Sequence, residues 1–176
     1  MEELRSTTTT YFLWCITDLS EGFILPNQNS QEQLIEALEE TVSDALEYQT
    51  GEGLGSHAKV GDRGAWKVLC HMFYWHQATT DGIESVASGG DPRQIEAESD
   101  EVNARIIESM SGKTVEELAR EVREIQGRLT SAVHSIPNLN SIVFIRMSGA
   151  ESSTNERLQM MAGRWQGHVE ELKRAI

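Results

Sequence analysis

Two histidines of this chain are candidates for chemistry, and the first is His71. It lies in the stretch Gly64–His76, where Trp66, Leu69 and Phe73 recur at three- and four-residue spacing and define one helical face. An imidazole on an apolar helical face has two ring nitrogens that need partners where little water is present. His71 is therefore a core histidine bonded to a neighbour, a metal ligand, or an acid–base group pointing into the interior.

The second candidate is His168. It follows Trp165 by three residues and Met161 by seven, which places it on the inner side of the last predicted helix. If this helix neighbours the one that carries His71, the two rings converge, and facing helices of a bundle build metal sites in this way. His76 stands about 140° around the helix from His71, so we expect it to lie outside such a site.

Several helices are needed to position these residues. Apolar residues at helical spacing predict each helix, and a capping box marks the N-terminus of three of them. In a capping box the side chains of the N-cap residue and of the third helical residue each accept a hydrogen bond from a backbone N–H. The boxes are Ser30 with Gln33, Thr114 with Glu117, and Ser153 with Glu156. The predicted helices span residues 30–50, 64–88, 99–111, 114–136 and 153–175. His57, in a glycine-flanked loop, and His134, near a helix end, are expected at the surface.

Two other apolar runs, Tyr11–Ile16 and Ile142–Ile145, have the composition of β-strands. They could pair with each other, although an isolated two-stranded contact is only marginally stable. The alternative, which we favour, is that residues 1–29 are a poorly ordered extension. Residues 138–152 are then predicted to be an irregular loop.

The charge of the chain bears on its partners and location. Its 176 residues include 15 Lys and Arg against 28 Asp and Glu, a net charge of −13. Such a field repels nucleic-acid phosphates and anionic membranes, so neither is an expected partner. No apolar run approaches the length of a membrane span, and Cys15 and Cys70 do not form a disulfide framework. A cytoplasmic location is expected.

The predicted fold is all-α. Four long helices joined by connections of different length predict a four-helix bundle over residues 30–176, preceded by the extension 1–29. The helix predicted at residues 64–88 is apolar on more sides than one neighbour can cover. It should therefore be the most buried helix, or should also form a dimer surface.

Short motifs over residues 30–176 resemble the DinB-like superfamily of four-helix bundles. In the second-helix motif of that superfamily a Trp is followed five residues later by a His, as Trp66 is by His71. The central and last motifs are most similar to the ClbS/DfsB and maleylpyruvate-isomerase N-terminal branches. The matching segments are Gly64–Trp75, Asp100–Ile107, Gly112–Leu118 and Met161–Leu172.

The resemblance implies a protein that is often a homodimer and that binds a divalent metal, commonly zinc or nickel, through three histidines. His71 matches the ligand from the second helix, and His168 matches the last ligand. Arg164 stands where the middle ligand belongs. A guanidinium stays protonated and repels a dication, so we expect metal binding to be weakened, with only His71 and His168 as metal ligands.

The resemblance also implies a small-molecule enzyme or a resistance protein, since members include thiol-dependent transferases and isomerases and one branch is linked to self-protection against a genotoxin. We expect a hydrolase or a thiol-dependent transferase or isomerase, with His71, His168 and Arg164 as catalytic residues. The alternatives are a protein that binds or sequesters a small molecule without chemistry, and a scaffold whose aromatic residues are only core. The aromatic residues expected to line the cavity are Trp66, Phe73, Trp75 and Trp165.

Overall fold

The computed structural model describes residues 30–60, 63–95, 97 and 99–175. Most of this part of the chain is helical, as predicted. In chain order the elements are α1 (Gln31–Thr50), β1 (Lys59–Val60), β2 (Arg63–Gly64), α2 (Ala65–Ala87), β3 (Arg93–Gln94), α3 (Ser99–Ser109), α4 (Val115–Ser135), β4 (Ile142–Ile145), β5 (Glu151–Ser153) and α5 (Thr154–Arg174). The prediction for residues 1–29 lies outside the described residues.

The helix starts follow from local hydrogen bonds. At Ser30, Thr114 and Ser153 the hydroxyl accepts the N–H of the third helical residue, whose side chain accepts the N-cap N–H in return. Each box satisfies two backbone donors that an α-helix would otherwise leave without partners. The five predicted helices are confirmed, with ends within two residues of the prediction.

The four long helices share one apolar core. Helices α2 and α5 are antiparallel, because Thr79 meets Arg157 near one end and His71 meets His168 near the other. Helix α4 contacts α2 along its length, and α1 packs against both α5 and α4. This arrangement makes α2 and α5 the facing pair that the convergence of His71 and His168 requires.

The all-α prediction omitted two small sheets, the antiparallel pair of β1 with β2 and a three-stranded sheet of β3, β4 and β5. Strand β4 pairs in parallel with β3 and antiparallel with β5, so residues 138–152 are not the irregular loop that was predicted. The strand-like run Ile142–Ile145 does form a strand, with Val143 and Phe144 buried against α2. Its partners are too short and polar to show a strand period, which is why sequence patterning missed them.

The sheet also explains the apolar breadth of α2. This helix contacts α4, α5, α3 and strands β2, β3 and β4, so its several apolar sides have neighbours within one chain. The approach of β4 is close at Gly82, where a Cβ atom would lie 2.3 Å from the Val143 carbonyl oxygen. Cys70 is fully buried on α2, and burial raises the pKa of its thiol to about 12, so it is an apolar filler. No helix of the described residues is long and apolar enough to cross a membrane.

Candidate functional site

The rings of His71 on α2 and His168 on α5 lie against each other. Their centroids are 5.5 Å apart and their planes are inclined by 82°. Both residues are only partly buried, and the His168 side chain is 13% exposed, so the pair lies at the edge of the core. The sequence predicts both residues on inner helical faces, and the antiparallel packing of α2 and α5 brings them to the same level.

His71 is held by a polar residue of α3. Its Nδ1 lies 2.7 Å from Oδ1 of the buried Asn103. With the amide oriented in this way, Nδ1–H donates to the amide oxygen and Nε2 keeps a lone pair. Burial lowers the pKa of His71 to about 3, despite an opposing contribution from Asn103, so the ring is neutral at pH 7.

His168 is held by a carboxylate of its own helix. Its Nδ1 lies 3.2 Å from Oε2 of Glu171, one turn further along α5. Burial lowers the pKa of His168, and the hydrogen bond and negative charge of Glu171 partly oppose that effect. A carboxylate that accepts the Nδ1 proton orients the ring and stabilises the imidazolium that forms when Nε2 takes a proton.

Positive charge borders the two histidines. Arg164 and Arg63 each lower the pKa of both rings, because a nearby cation disfavours their protonation. The Arg164 guanidinium lies 6.0 Å from the ring centroid of Trp75, and that indole is 6.2 Å from the His71 ring. The site therefore combines two neutral imidazoles with a fixed cation and an aromatic surface.

The other predicted cavity residues lie elsewhere. Trp66 donates from Nε1 to the Lys113 carbonyl at 3.0 Å, and Phe73 lies under the Lys113 ammonium. Both face the segment between α3 and α4. Trp165 is buried and donates to Nδ1 of His76 at 3.1 Å. Trp75, the fourth of these aromatic residues, lies against the His71 ring.

The remaining histidines are placed as the sequence suggested, since His57 and His134 are exposed and His76 bonds to a different partner from His71.

Two residues that contact or influence the histidine pair were not predicted as members of the site. Asn103 follows the inward-facing Val102 on α3, so its burial could have been suspected from the helical stripe. Arg63 precedes α2 on the short strand β2 and has no sequence signal of its own.

A three-histidine metal site does not fit these residues. The resemblance puts the positively charged Arg164 at its middle-ligand position and so leaves His71 and His168 as its two imidazole donors. In the described part of the chain, no three His, Cys, Asp or Glu side chains are grouped so that they could hold a metal ion. We therefore derive no chemical step through a metal.

Comparisons with known proteins do not assign the chain to a family. No family model matches it, and neither a curated protein nor a solved structure matches it significantly.

Proposed function

We propose that this chain is a small-molecule enzyme of the DinB-like four-helix-bundle type, either a hydrolase or a thiol-dependent transferase or isomerase. The long helices α1, α2, α4 and α5 form the bundle in this proposal, and the sheet of β3, β4 and β5 is an addition to it. The observation that carries the proposal is the contact of the His71 and His168 rings, 5.5 Å apart, with a separate polar partner at each Nδ1.

His168 is the proposed general base. Its Nε2 accepts a proton from water or from a thiol, and the resulting imidazolium is stabilised by the Glu171 carboxylate at Nδ1. A neutral His71, oriented by Asn103, positions an attacking water by accepting its second hydrogen at Nε2, whereas the single hydrogen of a thiol goes to His168. Arg164 attracts an anionic group of the substrate or the oxyanion that develops on it.

A second candidate function is binding or sequestration without chemistry. It is favoured by the Trp75 indole, which stands beside the Arg164 guanidinium and has a buried Nε1 without a hydrogen-bond partner among the described residues. A buried N–H donor without an acceptor is costly, so a ligand that supplies the acceptor would gain affinity there. Turnover distinguishes this candidate from the enzyme.

The test is an activity screen of the full chain with activated esters and with electrophiles in the presence of glutathione. We expect His168→Gln to lower the rate by about 10²–10⁴-fold, the contribution typical of a general base. Glu171→Gln should lower it less and shift the acidic limb of the pH–rate profile, because it acts by positioning His168. His134→Gln, at an exposed position of α4, is the matched control and should retain the rate.

Two results would contradict the enzyme. If His168→Gln and His134→Gln turn over substrate equally, the histidine pair is not the base. If no substrate in the screen turns over, while anionic aromatic compounds quench tryptophan fluorescence in the unmodified chain but not in Trp75→Phe, the binding function is supported instead.

A further inference from the structure

Arg157 is a buried cation with neutral partners. It lies in the first part of α5 and is 1% exposed. Its Nε and Nη2 both donate to the Thr79 hydroxyl of α2, and its guanidinium stacks 3.9 Å from the ring centroid of Phe144. The other recorded contacts of its five N–H donors are sulfurs, those of Met160 and Met161 at 4.0 Å.

The charges around Arg157 have the wrong sign to stabilise it. Among the described residues no carboxylate lies within ion-pair distance of it. The charges that act on it are those of Arg164 and Arg146, and burial together with these cations lowers the pKa of Arg157 to about 9. Buried charges in proteins are normally paired, because an unpaired one loses its hydration without compensation.

A second arginine reaches the same place from the sheet. Arg146, half-buried just after β4, has its Nη2 3.6 Å from the Met160 sulfur that Arg157 also contacts. Two guanidinium groups therefore flank one thioether, and neither has a carboxylate partner in the described residues. Met160 is itself half-buried and has an unbranched, flexible side chain that can move aside.

We propose that Arg157 and Arg146 form a binding site for a small oxyanion, a carboxylate or a phosphate group, which replaces the Met160 sulfur between the two guanidinium groups. A planar guanidinium presents paired N–H donors that match the oxygens of either anion. The Thr79 hydroxyl, which donates to the Trp75 carbonyl at 2.7 Å, holds the Arg157 side chain in place. This site goes beyond the proposed function, since it requires no chemistry at the histidines.

The overall charge of −13 limits which anions can arrive. The field repels polyanions such as nucleic acids more strongly than it repels a small monovalent or divalent anion. A local pair of arginines within an acidic protein therefore suits a single carboxylate or phosphate group on a small molecule.

The test is thermal unfolding of the full chain at pH 7, in potassium chloride alone and with low-millimolar potassium phosphate or potassium acetate at matched ionic strength. We expect at least one anion to raise the melting temperature, by about 3–6 °C at a tenfold excess over its dissociation constant. A response to phosphate alone, to acetate alone, or to both identifies the oxyanion and supports the site.

Variants locate the response. In chloride, the melting temperature of Arg157→Met should equal or exceed that of the unmodified chain, because the substitution removes an unpaired buried charge at similar side-chain volume. Neither anion should change the melting temperature of this variant. Arg123→Met, at an exposed arginine of α4, is the matched control and should respond like the unmodified chain. His168→Gln should also respond, so this site and the proposed catalysis can fail separately.

Three outcomes would overturn the proposal. The first is a chain that responds to neither anion. If Arg157→Met then also lowers the melting temperature, Arg157 is a structural residue stacked on Phe144. The second is an equal response in Arg157→Met and Arg123→Met. If Arg157→Met does not fold, Arg157→Lys and Arg146→Gln replace it, and each should reduce the rise in melting temperature that the anion causes. The third outcome is an unchanged rise in both of these variants.

Discussion

The sharpest stability prediction concerns His76, the buried histidine outside the proposed site. It is fully buried on α2, and its Nδ1 accepts the Trp165 indole N–H, so the proton of the neutral ring is on Nε2. Burial lowers the pKa of His76 from 6.5 to about 4, against a smaller upward contribution from the Gln126 side chain. The folded ring is thus neutral at pH 5, where the same ring in the unfolded chain is charged.

The difference between the folded and unfolded pKa of His76 sets the sign and size of the change in unfolding free energy with pH. Because the pKa is lower in the folded chain than in the unfolded one, the stability associated with His76 is complete above pH 6.5 and is lost as the pH falls towards 4. Between pH 7 and pH 5 the unfolded chain takes up about 0.7 of a proton at this ring, and the unfolding free energy falls by about 2 kcal/mol. His71, whose pKa is about 3, lowers the unfolding free energy by a similar amount over the same pH interval.

The assay is urea unfolding at pH 7 and pH 5 for the unmodified chain, His76→Gln and His57→Gln. The His76→Gln chain should lose about 2 kcal/mol less on acidification than the unmodified chain, whatever its stability at pH 7. His57 is exposed in the loop after α1, so water surrounds its ring in both states and His57→Gln should leave the loss unchanged. An identical loss in all three chains would refute the assignment of a buried neutral His76.

Further predictions concern metal affinity at the histidine pair, the packing of α2 and assembly. Arg164→His should give a set of three histidines and raise the affinity for zinc or nickel, measured by titration. If the unmodified protein already binds one equivalent of zinc or nickel, and His71→Ala loses that metal, the prediction is wrong. Gly82→Ala should cost at least about 1–3 kcal/mol in urea unfolding, because its Cβ would meet the Val143 carbonyl oxygen at 2.3 Å. Gly127→Ala, in open space on α4, is the control and should stabilise by up to about 1 kcal/mol. Since α2 is covered within one chain, the resemblance alone predicts a homodimer; light scattering should give the mass of a dimer, and a monomer mass would exclude it.

The helices were predictable because their signals are local. Each capping box joins groups three residues apart, and each apolar stripe repeats within two turns, so nothing distant in the chain is needed to recognise them. The sheet shows the opposite case. Ile142–Ile145 has strand composition, but its pairing with Arg93–Gln94 and Glu151–Ser153 depends on how β3 and β4 pack on α2 and how β5 packs on α5.

The same division applies to the candidate sites. The sequence by itself determined that His71 and His168 lie on apolar helical faces and that Arg164 precedes His168 by one turn, since helical periodicity depends only on spacing. Only the tertiary structure decided that Asn103 holds His71, and that Arg157 and Arg146 meet at Met160. These contacts join residues from different elements, and their distances depend on how those elements pack, which no local pattern records.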